Sequence, residues 1–446
     1  RRFRLHRTYP QTLTHAHFWP FNRIPYFRTV KVYYFSGLKT PPMHYNLLAF
    51  AVPFFLFFIG LEYLIARKKG LNLYQYAESV ANLNVGIAER LTDVFTAGAF
   101  FYIFDYIQKN AGIFHIGAGP LTWIGLFLLT DFVWYWYHRF GHVVNIGWAA
   151  HVVHHQSEDF NFTTSARITV FQAALRGVFW CALPLFGFPA HMVAAFLLVH
   201  GLYPFFTHTQ TIGKLGWLEY IIVTPTHHGV HHASNPEYLD KNYGDMLIIW
   251  DKLFGTFAAE KEDVKPVYGL TSPLKSHSFL WQHFHFPLEM VLAFKRAKGF
   301  KAKWKVIFGR PDDLDPRVRP ALERKFLNVK KENKPTLAMR QYVTTQTIFS
   351  IVLLFLLTLF SHYLTGTQLA LMSVFILISL VNSGAILDQR RWIFYLEFAR
   401  ALVVLTAIGT LFPANTVLAW LAVLTLLMIT AFRPIQRAYL RSLYGR

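Results

Sequence analysis

The sequence predicts an all-α integral membrane protein, a multi-span helical bundle with a cytosolic histidine-rich site for two metal ions. Three observations favour this class. The 446 residues are 54% hydrophobic and 17% aromatic, with a mean hydropathy of +0.29, more than a soluble globular domain usually carries. Several apolar runs are long enough to cross a membrane. Histidines recur at helical spacing in two clusters between those runs.

Residues 1–45 form a basic, aromatic segment without any acidic residue. No apolar core with a small-residue cleavage site follows closely, so we expect no cleaved signal peptide. Contact with anionic lipid headgroups and a disordered basic tail both explain such a run. Nucleic acid is a poor explanation of the net charge of +20, because the basic residues are distributed over loops between apolar runs.

Apolar runs in the first half of the chain predict the membrane helices of a domain over residues 46–290, which also holds the histidine motifs. The first run has 19 residues and a single charge, Glu62, and is long enough for a hydrocarbon core of about 30 Å. The second is weaker, and the last two suggest a helical hairpin. The runs are Leu47–Ile65, Leu91–Ile107, Leu121–Tyr137, Val170–Phe188 and Met192–Phe206.

The first histidine cluster follows the third run. Its members are spaced by three or four residues, and such positions share one face of a helix. They are His138, His142, His151, His154 and His155. A lone histidine near a membrane is usually hydrogen-bonded or snorkelling, whereas neutral imidazoles at repeated spacing are typical of metal ligands.

The second cluster repeats the H-x-x-H-H pattern as His228, His231 and His232, and His208 opens the loop after the hairpin. Together with the first cluster this gives nine predicted ligands, about the number that two metal ions with four or five ligands each require. His227 is either a further ligand or a neighbour of the ligands. His200 is a weaker candidate, eight residues before His208.

The ligand types restrict the chemistry. With one cysteine, Cys181, the chain has neither an intramolecular disulfide framework nor a zinc site built on several thiolates. All-nitrogen ligands suit zinc, copper or iron, and nine histidines exceed the three of a hydrolytic zinc site. No nucleotide-binding GxGxxG motif or fused haem-domain motif is present, so we expect an external reductant or electron donor.

Asp131 lies seven residues before His138, with Tyr135 between them. A carboxylate in an apolar helix is costly unless it serves a purpose. We interpret Asp131 as the acceptor for a ligand imidazole N–H; an ordinary interhelical hydrogen bond is the alternative.

The last third of the chain divides into a basic cytosolic linker, residues 291–341, and a C-terminal four-span membrane region, residues 342–446. Residues 295–334 hold 14 Lys or Arg against five acids, which suits anionic lipid. The positive-inside rule places both histidine clusters and the C-terminus in the cytosol. Nine full crossings would leave the basic N-terminus outside, so either Leu91–Ile107 does not cross or the N-terminal segment is re-entrant. The predicted spans are Tyr342–Tyr363, Gln368–Leu387, Trp392–Phe412 and Thr416–Phe432.

The motif order H-x3-H, H-x2-HH, H-x2-HH, led by DFxxYxxHR at residues 131–139, resembles the fatty acid hydroxylase superfamily of integral-membrane di-iron enzymes. The matching stretches include residues 144–167 and 218–257. The resemblance implies that the nine histidines bind two iron ions and that O2 and a reductant hydroxylate a membrane lipid. The most similar branch implies tetrahydrobiopterin as reductant and an ether lipid as substrate, hydroxylated beside the ether oxygen to give a fatty aldehyde and a glycerol derivative.

The resemblance also implies further site residues. Beside Asp131 and Tyr135, they are Glu158, Asp159, Asn161, Arg167, Asn242 and Tyr243. The chain departs from the family pattern where Val143 replaces a glutamate, where Ile168 follows Arg167, and where Gln210 replaces an acid. None of these departures removes a predicted ligand.

Other functions remain open from the sequence. A sterol, fatty-acyl or carotenoid hydroxylase or desaturase of the same superfamily would need similar ligands. A metal transporter would place its histidines in mid-span, and a catalytically silent protein would keep the ligands without turnover. The expected location is the endoplasmic reticulum in a eukaryote or the cytoplasmic membrane in a bacterium.

Overall fold

A computed structural model describes residues 45–327 and 335–445. Within these ranges the chain is helical and contains no strand, which confirms the predicted fold class. The predicted basic segment at residues 1–45 lies outside the described residues except for Tyr45, as do residues 328–334 of the predicted linker.

Thirteen helices precede the gap in the described residues. A short 3-10 turn, Leu47–Phe50, leads into the first. The helices are α1 (Ala51–Lys68), α2 (Tyr76–Ala111), α3 (Pro120–Val143), α4 (Asn145–His151), α5 (Phe162–Ser165), α6 (Gln172–Trp180), α7 (Ala182–Phe186), α8 (Ala190–Thr207), α9 (Pro225–His231), α10 (Ile249–Leu253), α11 (Phe279–Arg296), α12 (Phe300–Phe308) and α13 (Val318–Phe326).

Five further helices follow the gap: α14 (Leu337–Leu359), α15 (Gly366–Leu387), α16 (Ile393–Leu411), α17 (Asn415–Thr430) and α18 (Phe432–Tyr444). Five helices in the described ranges are long and apolar enough to cross a membrane: α1 with its leading turn, α8, α14, α15 and α16. The bent pair α17 and α18 would make a sixth. The chain is therefore an integral membrane protein, as predicted.

Four predicted runs have different structures from those expected. Leu91–Ile107 is part of the 36-residue helix α2, and Leu121–Tyr137 is part of α3; neither helix is among the five apolar candidates. Val170–Phe188 breaks at Cys181 into α6 and α7. The helix predicted over Thr416–Phe432 ends two residues early, at Thr430, and α18 follows it at an angle of 72°. Buried polar residues explain why α2 is not among the apolar candidates. Asn82, Asn84 and Glu89 of this helix are all buried within the protein.

The region predicted as a linker is folded over most of its described length. It contains the end of α11 and all of α12 and α13. Val318 and Leu322 of α13 form an apolar cluster with Leu274 and with Trp281 of α11. Burial of these side chains stabilises the packing of α13 on α11 and on the loop before it.

Helix α2 lies at the centre of the molecule. It contacts α5, α6, α7 and α8, which lie among the histidine segments in the chain, and also α11, α14 and α15. An aromatic cluster fixes α3 beside it, with the Trp180 ring 5.3 Å from the rings of both Trp134 and Tyr137. Because Tyr137 directly precedes His138, this packing sets the position of the first predicted ligand.

Candidate metal centre

The structure brings all nine predicted ligand histidines together in two adjacent groups. Within each group, one ring nitrogen from every histidine lies within 4.8 Å of those of the others. In two pairs of consecutive histidines, one ring belongs to each group. The ring centres of His154 and His155 are 5.4 Å apart, and those of His231 and His232 are 5.3 Å apart. The first group is His138, His142, His151, His155 and His231; the second is His154, His208, His228 and His232.

Short elements at the membrane-helix ends present these side chains. The last turns of α3 carry His138 and His142, α4 ends at His151, and a 3-10 turn follows over His154–Gln156. His208 directly follows α8. The remaining ligands lie on or just after α9, which begins with a proline at its first position, where a helix needs no backbone N–H.

Backbone carbonyls fix the orientation of four of the rings. In each case Nδ1 lies within hydrogen-bond distance of a carbonyl oxygen, so Nδ1 carries the proton and donates it. The distances are 2.9 Å from His138 to Tyr243 O, 3.1 Å from His154 to Arg167 O, 2.6 Å from His208 to Pro204 O and 2.8 Å from His231 to Lys241 O. Nε2 of each ring then carries no proton and has a lone pair that can bind a metal ion.

These lone pairs face one another, which is the arrangement that a cation stabilises. The Nε2 atoms of His154 and His208 are 3.2 Å apart, although both rings hold their proton on Nδ1. Nε2 of His138 is 3.1 Å from Nε2 of His151, whose Nδ1 lies 3.4 Å from the Gln172 side-chain oxygen. Nε2 of His231 is buried without a hydrogen-bond partner. The donor set therefore fits two metal ions of the kind that imidazole binds, such as iron, copper or zinc.

Burial keeps the ligands neutral. It lowers the pKa of His138 and of His208 to about 4, partly offset by the hydrogen bonds to Tyr243 O and Pro204 O. Burial also lowers the pKa of the other seven well below the ordinary value. Neutral imidazole is the form that binds metal, so the site is ready to coordinate at neutral pH.

Arg167, predicted from the motif, supports the second group. Its guanidinium is buried and donates to Val153 O at 2.7 Å, Asn82 Oδ1 at 2.9 Å and Gln156 Oε1 at 2.7 Å. Burial lowers its pKa to about 10, so it stays charged at neutral pH. With three fixed donors, Arg167 holds its own carbonyl where His154 Nδ1 donates.

Asn242 and Tyr243 support the first group through one loop. Asn242 has a φ of 55° and donates from its side chain to His227 O and Ala258 O. Asp251 accepts from the backbone N–H of Tyr243 at 2.7 Å. This loop presents Tyr243 O to His138.

Asp159 and Asn161 connect the histidine segment to the loop between α1 and α2. Asp159 accepts from Gln75 N at 2.7 Å, and the Asn161 side chain donates to Leu73 O at 2.6 Å while capping α5. Glu158 is exposed, so it lies at the edge of the site rather than inside it.

The role predicted for Asp131 is wrong. Its carboxylate accepts from Met246 N at 2.9 Å, Leu247 N at 3.1 Å and Trp250 Nε1 at 2.8 Å, rather than from a ligand imidazole. Seven residues correspond to about 10 Å along a helix, which separates Asp131 from His138. Asp131 therefore holds the loop that follows Tyr243.

Three other candidates also lie apart from the two histidine groups. His200 Nδ1 is 2.6 Å from Asp245 Oδ2, in a separate buried cluster with Asp131. His227 Nδ1 accepts from Thr224 N at 3.4 Å at the start of α9, so the structure does not place it among the ligands. The Tyr135 hydroxyl bonds to Thr256 Oγ1 at 3.0 Å and supports the same loop as Asp251.

Two of the three departures from the family pattern lie beside supporting residues. Gln210 donates to Phe160 O at 2.9 Å, and the Phe160 ring packs 5.5 Å from His208 and 5.2 Å from His232. Ile168 directly follows Arg167. Nothing in the structure explains the valine at position 143.

Glu62 is a supporting residue that the sequence interpretation missed. Buried in the membrane helix α1, it accepts from Phe162 N at 2.7 Å and from the hydroxyls of Tyr74 and Thr209. Thr209 directly follows His208, so Glu62 links α1 to a ligand. Its signal in the sequence was the single charge of an apolar run, which usually marks a function.

Comparison with known proteins agrees with this geometry. The Fatty acid hydroxylase family model matches residues 123–256, which include all nine ligands. Alkylglycerol monooxygenase of Homo sapiens is 35% identical over 364 residues, covering 80% of this chain and 81% of that protein. The chain belongs to the fatty acid hydroxylase family.

Relatives from two other vertebrates match this chain over a similar length. Alkylglycerol monooxygenases of Xenopus tropicalis and Danio rerio are 34% and 32% identical, covering 80% and 83% of this chain and the same shares of those proteins. No solved structure matches the chain. Family membership therefore rests on sequence relatives and on the histidine geometry.

Acid should destabilise the metal-free protein. The pKa of His138 and His208 is about 4 in the folded state, against about 6.5 when unfolded. The free energy of unfolding that these two neutral histidines contribute is therefore fully present above about pH 6.5 and is lost as the pH falls towards 4. For the pair this loss is on the order of several kcal/mol. Thermal unfolding of chelator-treated protein in detergent at pH 7.5, 6.5, 5.5 and 4.5 measures it.

The double variant His138→Gln/His208→Gln should show a shallower pH dependence, and the exposed His115→Gln should leave it unchanged. An unfolding temperature that stays level between pH 7.5 and 4.5 would contradict the burial argument.

Removal of the Glu62 carboxylate should weaken the second histidine group. Glu62→Leu leaves the buried Phe162 N–H without an acceptor, which costs about 1–3 kcal/mol, and frees Thr209 beside His208. We expect a lower unfolding temperature and loss of about one of two bound metal ions, whereas Glu62→Gln keeps an acceptor oxygen and most of the metal.

Metal analysis of the purified variants measures the effect, with Leu64→Ala as the control, because Leu64 is 65% exposed on the same helix. Full metal content in Glu62→Leu would show that Glu62 has no part in positioning His208.

Proposed function

We propose that the protein is a membrane di-iron monooxygenase that hydroxylates an alkylglycerol ether lipid at the carbon beside the ether oxygen. The products would be a fatty aldehyde and a glycerol derivative. The observation that carries this proposal is the pair of adjacent, buried, all-histidine groups. Relatives named alkylglycerol monooxygenase that match four fifths of the chain support the choice of substrate.

The nine histidines would hold the two iron ions, five in the first group and four in the second. Iron bound there would supply O2 activation, with tetrahydrobiopterin as the external reductant. The chain itself keeps the imidazoles neutral and oriented. His142, the least buried ligand, has a side chain only 9% exposed, so bulk water is largely excluded from the centre.

Aromatic side chains separate the second group from its surroundings. Phe160 lies against His208 and His232 and stacks on Tyr268 with ring centres 4.7 Å apart. Phe162 stacks on Phe205 of α8 at 4.6 Å. This wall would exclude water on the side that faces the membrane helices and would leave an apolar surface for a lipid chain.

Basic residues near the histidine groups support an active site that faces the cytosol. Lys69, after the basic end of α1, donates to Thr211 O at 2.9 Å, three residues beyond His208. Gly309, after the lysine-rich helix α12, accepts from the N–H of Asn145, the first residue of α4, at 2.8 Å. Positive charge favours the cytosolic side of a membrane. The membrane would be the endoplasmic reticulum in a eukaryote or the cytoplasmic membrane in a bacterium.

Helix α12 would bind anionic lipid headgroups. Phe300 and Trp304 are 80% and 53% exposed and lie beside Lys301, Lys303 and Lys305. Exposed aromatic rings and lysines on one short helix are typical of a helix that lies in the membrane interface.

Loss of one ligand from either group should abolish turnover. His154→Ala and His231→Ala remove one ligand from the second and the first group, so each should retain only part of its iron and consume no O2 with an alkylglycerol and tetrahydrobiopterin. His227→Ala, outside both groups, should keep both irons and its activity.

Iron analysis, O2 uptake and mass spectrometry of the aldehyde product provide the readouts, with sterol, fatty-acyl and carotenoid lipids as competing substrates. Activity retained in both ligand variants would refute the site, and product from another lipid class alone would refute the substrate.

A further inference from the structure

An apolar groove runs along α1, α2 and α14, away from the histidine groups. Its volume is about 330 Å³, within the range of small-molecule sites. Almost all of its lining is apolar, from side chains that include Leu56 of α1, Val80 and Leu83 of α2, and Ile351 and Val352 of α14.

The groove has the shape and direction of a lipid chain. Its lining residues on α2 run from Tyr76 to Leu83, and those on α14 run from Thr344 to Val352. At 1.5 Å per residue these stretches are about 10–12 Å long, so the groove lies parallel to the helices. Two of its three walls, α1 and α14, are candidate membrane spans, and an alkyl chain is the occupant that the bilayer supplies.

The two ends of the groove differ in polarity. At one end the Tyr76 hydroxyl donates to Arg340 O at 2.8 Å and bonds to Thr344 Oγ1 at 3.0 Å. The Arg340 guanidinium lies 5.5 Å from the centre of the Tyr76 ring and is exposed. At the other end are only Leu83, Ile351 and Val352. A polar, cationic end and an apolar body fit a lipid whose polar group lies near Arg340.

Both ends of the groove wall on α2 adjoin residues that bond to the segment carrying the histidines. At the apolar end Leu83 follows Asn82, whose Oδ1 accepts from Arg167 at 2.9 Å. Tyr76 follows Gln75, whose N–H donates to Asp159 at 2.7 Å. Asp159 precedes Phe160, the ring that packs against His208 and His232. The groove wall on α2 is thus connected at both ends to residues that support the histidine groups.

We infer that this groove between α1, α2 and α14 binds the alkyl chain of the lipid substrate and selects its length. The inference rests on the proposed function, since it assigns a position to the chain of that substrate. Val352 and Leu56, 47% and 37% exposed, line its lipid-facing rim, where a chain could enter sideways from the bilayer.

Variants that fill the groove should change chain-length preference without loss of metal. Leu83→Trp and Val352→Trp shorten its apolar end, so the ratio of kcat/KM for a 10-carbon over a 6-carbon alkylglycerol should fall roughly tenfold. Ile103→Trp, on an exposed part of α2 outside the groove, should leave the ratio unchanged. Iron content and gel filtration check that each variant folds, and Val352 is exposed enough to tolerate the change if Leu83 is not.

A photoreactive alkylglycerol with a diazirine at its chain end separates the groove from the proposed function, because labelling needs no turnover. Peptide mapping should find the label near Leu83 and Val352, and the Trp variants should lose it. Equal labelling of the Ile103 region would indicate only surrounding bilayer lipid and would overturn the inference. An unchanged chain-length ratio in an active enzyme would overturn it too, while the proposed function would stand. Groove labelling in a protein without lipid turnover would support the groove and refute the function.

Discussion

The hydrogen bonds from histidine Nδ1 to backbone carbonyls are the interaction on which the centre depends. Each bond places the proton on the outer nitrogen and leaves the inner nitrogen free to coordinate. The acceptors belong to three separate segments, at Arg167, at Pro204 and at Lys241 with Tyr243. The position of the ligands is therefore set by where the backbone of those segments is fixed.

That requirement explains why so many buried polar residues surround the histidines without coordinating anything. Arg167 binds α2 and the 3-10 turn and so fixes its own carbonyl. Asp251 and Asp131 accept backbone N–H groups on either side of Asp245. Glu62 accepts from the Thr209 hydroxyl beside His208 and from the backbone N–H of Phe162. Several N–H or O–H donors to a buried carboxylate offset the free-energy cost of removing it from water.

The sequence was sufficient for the fold class and for the choice of nine histidines that the structure brings together, because helical spacing and apolar run length are local properties. It was insufficient wherever a partner came from a distant segment. Asp131 was assigned to a ligand along its own helix, but its partners lie 115 to 119 residues away. His227 has the spacing of a ligand, yet it serves as an acceptor at the start of α9.

Helix α2 shows the same limit for the membrane prediction. Its polar residues lowered the apolar signal of a 36-residue helix, because Asn82 and Glu89 face protein rather than lipid. Hydropathy measures affinity for lipid and cannot distinguish a helix outside the membrane from one that is enclosed by other helices. Only tertiary contacts resolve this ambiguity. Helix α2 packs against α5, α6, α7 and α8 and also against α14 and α15.

Binding of metal and stability of the fold must be coupled in this protein. Without a cation, unprotonated nitrogens such as those of His154 and His208 face each other at 3.2 Å in a buried space, and a buried acceptor without a donor is destabilising. Protonation would relieve that contact only by placing charge where burial disfavours it. A metal ion satisfies all of the lone pairs at once, so part of its binding free energy becomes stability of the surrounding helices. Two of the helices that carry the histidines, α4 and α9, have only seven residues each, so a bound metal ion would be a structural as well as a chemical component of the site.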